Sequence, residues 1–231
     1  MWEFLSAGGP FMVPLVVTSL IAVAFIIERG IALRWKKVVP REVERGVERC
    51  DSPQRLAELK VTCQNFPSAL SRLLLVAMNH LYWPLEENAD AVETRARHEI
   101  GQLERWLVVL EIITGIAPLL GLVGTIHGLS TLFSDLGQKG LSETANFARG
   151  IAITLNTTLM GLLIAIPALI AWSYYTKKVE TLAVEMETLC DEFLRKQYRQ
   201  RSEQTEAELK PMPAPVEQKE PVVEQKDPAV L

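Results

Sequence analysis

The sequence predicts an all-α integral membrane protein with three transmembrane helices, the second and third extended into a cytoplasmic helical bundle. Segregation of residue types is the first observation behind this. The chain is 48% hydrophobic and 23% charged, yet Phe4 to Ile27, Ile112 to Ser134 and Gly150 to Thr176 contain no Asp, Glu, Lys or Arg. Length is the second: each run exceeds the roughly 20 residues that an α-helix needs to cross hydrocarbon. The third is the helical spacing of apolar residues in the charged stretches beside the second and third runs.

The elements follow in chain order. Residues 1–10 read as a short periplasmic N-terminus and 11–33 as the first span. No Lys or Arg precedes that span and no small-residue cleavage site stands before Glu28 and Arg29, so it is expected to stay as an anchor. Arg29, Arg34, Lys36, Lys37 and Arg41 crowd its far end. Met1 to Pro10 has no basic residue, and Ser134 to Asn146 has only Lys139, whereas Lys177, Lys178, Arg195 and Lys196 follow the third run. The positive-inside bias therefore places the N-terminus in the periplasm and the C-terminus in the cytoplasm.

Residues 34–106 form a cytoplasmic helical loop broken by Pro40, Pro53, Pro67 and Pro84. Within it "ALSRLLLVAMNHLYW" places Ala69, Leu73, Val76, Ala77 and Leu81 on one helical face. The second span, 107–133, joins the preceding "ETRARHEIGQLERW" with no turn signal and is expected to continue unbroken into the loop. A short periplasmic loop, 134–147, leads to the third span, 148–175. The cytoplasmic stem 176–200 keeps Val179, Leu182, Met186, Leu189 and Phe193 on one stripe. Residues 201–231, rich in Pro, Glu, Gln, Lys and Val with "VEQK" at 216 and 223, are expected to be a disordered tail.

Composition excludes several functions. A net charge of −4, with both signs on the same side of the membrane, offers no basic face to nucleic acid. His80, His98 and His127 lie in separate segments without metal-ligand spacing, and no P-loop, zinc signature or nucleophile elbow occurs. The expectation is therefore no enzyme, no catalytic residue, no metal and no cofactor. Cys50, Cys63 and Cys190, odd in number and in cytoplasmic segments, read as reduced thiols.

The candidate site lies in the second and third spans. At 100° per residue, Thr125 shares a face with Thr114, Pro118, Gly121, Gly128 and Leu132, and with Glu111 at the cytoplasmic end, while His127 points roughly opposite. On the third span Thr154, Thr157 and Thr158 share one side with Gly161, and Asn156 lies on the far side. Threonine hydroxyls can bond back to carbonyls of their own helix, but a whole amide cannot, so Asn156 needs a neighbour, a partner or water. Pro118 and Pro167 each free the carbonyl four residues earlier. Gly121, Gly124, Gly128 and Gly161 are small enough for close helix approach.

"GIAPLLGLVGTIHGLSTLF" followed by "GIAITLNTTLMGLLIAIPAL" resembles the ExbB/TolQ/MotA proton-channel family, in its ExbB and TolQ branch. The resemblance rests on Ala117, Pro118, Gly121, Leu122, Gly124, Thr125 and Gly128 in the second span. In the third it rests on Gly150, Ile151, Ala152, Leu155, Thr158, Gly161, Leu162, Ala165, Ile166, Pro167 and Ala168. It implies a subunit of the bacterial inner membrane, in contact with membrane lipids, that forms a homo-oligomeric ring, a pentamer, around a dimer of single-span partners similar to ExbD or TolR. Ion motive force, of protons in the family's usual form, would be converted to work on a TonB- or TolA-like protein. Thr125 and Thr158 occupy the positions implied to line the ion path, with Thr154 and Thr157 beside them. Asn156, Glu111 and His127 stand as polar contacts to a partner or neighbour helix. The family's third-span glutamate falls on Ile153 here, and its aromatic after Thr125-Ile126 falls on His127. The competing expectation is a non-conducting three-span scaffold that anchors a partner.

Overall fold

A computed structural model of the chain describes residues 11–139 and 144–209, the side chains at 135, 138, 139, 144–149, 153 and 204–209 excepted. The described residues form eight helices. They are α1 Met12–Ala32, α2 Trp35–Val38, α3 Arg41–Glu48, α4 Pro53–Asn65, α5 Ala69–Asn79, α6 Leu85–Glu104, α7 Leu107–Lys139 and α8 Thr144–Leu209. Segments Met12–Ala32, Leu107–Ser134 and Gly150–Glu203 are long and apolar enough to cross a membrane. Their outward faces carry Leu20, Leu119, Ile126, Leu163 and Ile170, all exposed. Apolar side chains are stable there only against lipid or protein, so the chain is an all-α membrane protein.

The four prolines of the long loop all mark helix starts. Pro40 and Pro84 are the N-caps of α3 and α6, Pro53 is the first residue of α4, and Pro67 precedes the Ser68 cap of α5. Proline fits there because the first turn needs no N–H donor and its φ is already helical. Ser52 Oγ accepts from Arg55 N at 3.4 Å, and Ser68 Oγ from Ser71 N at 3.1 Å, satisfying N–H groups the first turn leaves free.

These helices pack against the outer half of α8. Val43, Val47, Leu59, Leu70, Leu73, Leu74 and Ala77 meet Leu182, Met186, Leu189 and Phe193 in one buried core, and the stripe expected on the stem is the face that packs. The free thiols of Cys50, Cys63 and Cys190 are buried there too. Burial pushes the Cys63 thiol up to about 11 and that of Cys190 up to about 12, so both stay protonated and unreactive near neutral pH. Glu99 is 1% exposed and accepts from Arg72 at 2.5 and 2.8 Å and pairs with Arg95 at 2.7 Å. Burial alone would raise its pKa, but the two guanidiniums outweigh it and hold the carboxyl below the usual carboxylate range.

Three boundaries differ from expectation. The second span does not run unbroken into the bundle, because Arg105 and Trp106 form a turn between α6 and α7. In a continuous helix the carbonyl of Leu103 would accept from Leu107; here it accepts from Nη1 of Arg29 at 3.3 Å. Arg29 is 6% exposed and is held by Glu28 at 2.6 Å, so a cation from α1 caps the negative end of α6. The loop expected at 134–147 is shorter, since α7 reaches Lys139 and α8 begins at Thr144.

The stem also outlasts its expected end, and α8 continues to Leu209, into the segment read as tail. Arg199 pairs with Glu203 at 2.8 Å along the helix, and Arg201 reaches the carbonyl of Leu81 at 3.0 Å, which ties the start of this stretch to the bundle. The helix ends shortly before Pro211, the first residue after it that cannot continue the hydrogen-bond ladder. The expected N-terminal segment 1–10, residues 140–143 and the remainder of the tail, 210–231, lie outside the described residues.

Candidate functional site between α7 and α8

Glycines set the spacing of α7 and α8. A methyl group built on Gly161 would stand 2.5 Å from the carbonyl oxygen of Ala117, and one on Gly121 would stand 2.9 Å from both Thr157 O and Thr158 Cα. Gly124 would meet Thr157 Oγ1 at 3.0 Å, and Gly128 lies against the side chain of Thr154. Backbone therefore touches backbone across the seam, as small residues permit in membrane helices.

That proximity lets hydroxyls on one helix reach carbonyls on the other. Thr125 Oγ1 donates to Gly121 O at 3.1 Å or Thr154 O at 3.2 Å, and it contacts Thr158 Oγ1 in a pair where either oxygen can donate. Thr158 Oγ1 also lies 3.2 Å from Gly121 O, and Thr157 Oγ1 lies 3.3 Å from it while donating at 2.7 Å to Thr154 O. Three hydroxyls thus surround one carbonyl that has two lone pairs and serves its own helix. They cannot all donate to it together, so several donor arrangements share one geometry.

The structure separates the four threonines. Thr154 and Thr157 are buried, at 4% and 2% exposure, and Thr154 Oγ1 donates to Ile151 O at 2.7 Å. Thr125 and Thr158 are half-buried and form the edge of the seam. Asn156 is half-buried on α8 and makes no hydrogen bond among the described residues. The side chain of Ile153 lies outside the described residues.

The remaining candidates are dispersed. His127 is exposed and its ring packs edge-on against Phe11, 5.3 Å between centroids, so it serves the seam with α1. Glu111 is exposed on α7; its backbone carbonyl accepts from Thr114 Oγ1 at 2.6 Å. Pro118 and Pro167 both sit inside uninterrupted helices, Pro118 half-buried and Pro167 exposed. Sequence reasoning used Arg29 only as an orientation signal and did not place Tyr175, whose hydroxyl donates to Ile26 O at 2.8 Å beside Gly30. The signals were a charge at the edge of a span and an aromatic at the edge of another.

A model described as the MotA/TolQ/ExbB proton channel family matches residues 67–188, more than half of the chain. The chain belongs to that family. The match takes in α5, α6, α7 and most of α8, and so includes the whole threonine seam. Among curated relatives, the MotA/TolQ/ExbB chain is 35% identical over 171 residues to the ExbB-like 3 protein of Synechocystis, covering 71% of this chain and 79% of that one. It is 32% identical over 178 residues to ExbB-like 1 of the same organism, covering 74% and 68%. It is 30% identical over 159 residues to the biopolymer transport protein exbB1 of Vibrio cholerae, covering 67% and 70%. Members of the MotA/TolQ/ExbB family are channel and transport proteins rather than enzymes, and the general function of this chain is of the ExbB type.

Proposed function

We propose that the chain is the ion-conducting subunit, for protons, of an inner-membrane motor. In this reading five copies surround a dimer of ExbD- or TolR-like single-span partners and convert ion motive force into work on a TonB- or TolA-like protein. The N-terminus is periplasmic and the C-terminus cytoplasmic, in keeping with the basic residues beyond α1 and along the stem of α8. The observation that carries the reading is the half-buried Thr125–Thr158 hydroxyl pair over the Gly121 carbonyl. Either hydroxyl donates or accepts, so the pair can reverse its polarity without moving a heavy atom, as a proton relay beside a partner's acid requires. Thr154 and Thr157, whose hydroxyls are committed to carbonyls, hold the seam behind them. Asn156 supplies an unused amide to a partner or neighbour helix, and Glu111 and His127 are further polar contacts of that kind. One charge crossing the membrane releases about 2.3 kcal/mol per 100 mV, enough to bias a rotation step.

The test is ion flux and partner-dependent activity after co-reconstitution with the single-span partner in liposomes. Thr158→Val and Thr125→Val remove a contact worth about 1.4 kcal/mol, and each is expected to slow flux roughly tenfold or more with assembly intact. Thr158→Ser, which keeps the hydroxyl, is expected to retain it. Undiminished flux in both valine variants would sink the pathway. A second reading, a non-conducting scaffold that anchors the partner, is favoured by the fact that every threonine hydroxyl of the seam has an acceptor within the chain. Partner capture without any flux, in the wild type as in the variants, selects it.

A further inference from the structure

Outside the spans the bundle carries two surface features that its own core leaves unused. One is a cleft of about 330 Å³ between α6 and α8, with Leu73, Val92, Ile100 and Leu194 in its floor. Asp90, Glu93, Glu187 and Asp191 rim it against the single cation Arg97. Glu93 is paired with Arg97 at 2.6 Å and Asp191 with Arg195 at 2.8 Å. Asp90 and Glu187 are exposed and have no counter-charge among the described residues.

The other feature is the outer face of α3. Its Val43 and Val47 are buried in the core, and at 100° per residue the opposite crest carries Arg41, Arg45 and, at the C-cap, Arg49. All three are exposed and none forms an ion pair among the described residues. Glu42 and Glu58 share the groove between α3 and α4 with Arg45 and Arg49, while Glu44 and Glu48 lie on the crest's other flank. The arginines therefore form a basic ridge with acidic sides.

Ridge and cleft do not meet within one chain, because the ridge points away from the core that Val43 and Val47 enter. They do stand at overlapping levels along α8. The cleft extends from Ala183 to Leu194, while the chain passes from Ile26 and Gly30 beside Tyr175 to the end of α3, where Lys196 Nζ donates to Glu48 O at 2.7 Å and Gln197 Nε2 to Cys50 O at 3.1 Å, so the body of α3 lies between those two levels. Rotation about the membrane normal moves a copy around a ring without changing its height. Features at one height on different sides of a subunit are thus the ones that a closed ring brings together, each used once per copy.

The geometry points to a head-to-tail subunit interface in which the arginine ridge of α3 on one copy docks in the acid-rimmed cleft between α6 and α8 of the next. The occupant is a second copy of this chain because the charges complement each other at matching height, and arginine is the cation suited to carboxylates over an apolar floor. The inference rests on the homo-oligomer of the proposed function and adds to it the surfaces that meet.

The experiment uses the full chain in lipid nanodiscs. Arg45→Cys and Glu187→Cys in the same chain, treated with a short bismaleimide, are expected to give an inter-chain ladder that neither single variant gives, since the native cysteines are buried. Native mass spectrometry of R41E/R45E should show the oligomeric fraction reduced about tenfold, and adding D90K/E187K should restore it. An oligomeric wild type with no ladder, or charge reversals without effect or without rescue, overturns this interface and leaves the ring standing. A monomeric wild type overturns both.

Discussion

At the scale of single residues, the decisive contrast is between polar groups that are satisfied and those that are not. Glu99 belongs to the first kind. Its pKa is held below that of an ordinary glutamate, about 4.3, so the ion cluster contributes stability above that pH and loses it as pH falls through the lower folded value. Unfolding of the detergent-solubilised protein followed by circular dichroism is expected to show this acid limb. Glu99→Gln should flatten it and cost about 2 kcal/mol at neutral pH, less than the loss of one partner from a fully buried pair, because both arginines are partly exposed. Asn156 is of the second kind, half-buried with no hydrogen bond among the described residues; that an amide inside a span needs a partner is legible from the sequence, because it is a property of one helix. The cluster around Glu99 was not legible, because Arg72 and Arg95 reach it only after α5 and α6 have packed. The same holds for Arg29, which finds Leu103 across 74 residues.

Helices add what residues lack, a shared surface. The seam of α7 and α8 works because Gly121 and Gly161 lie against the opposite backbone, and Gly115, on the same helix as Gly121, faces open space. Gly161→Ala is accordingly expected to destabilise by about 1–3 kcal/mol as an overpacked contact, whereas Gly115→Ala should be neutral or gain up to about 1 kcal/mol in helix propensity. Denaturant unfolding of both variants in one detergent checks the difference. Helix starts at Pro40, Pro53, Pro67 and Pro84 were legible because proline acts locally. The turn at Arg105 and Trp106 was not, since no breaker stands there and its freed carbonyl is capped from α1. The run of α8 to Leu209 was hidden by composition: polar residues that suggest a tail are also good helix formers once a neighbour such as Leu81 holds them.

For the whole molecule, three spans and a membrane-external bundle were readable from the segregation of charge, and the family from the two spans that carry the glycines and threonines. Which side the bundle occupies is open to a direct measurement. Single cysteines at Ser134 and Gln200 should differ, the first labelled by a membrane-impermeant maleimide in intact cells and the second only after lysis. The buried native thiols keep the background low. One helix joins these compartments. With 66 residues at 1.5 Å each, α8 is about 99 Å long, a single rod that passes the threonine seam and ends beside the α5–α6 corner. Such a rod acts as a lever. A tilt of about 5° at Thr158 would sweep its far end sideways by roughly 7 Å, more than one helical turn. A displacement the size of a hydroxyl's reach within the membrane thereby becomes a stroke large enough for another protein to feel.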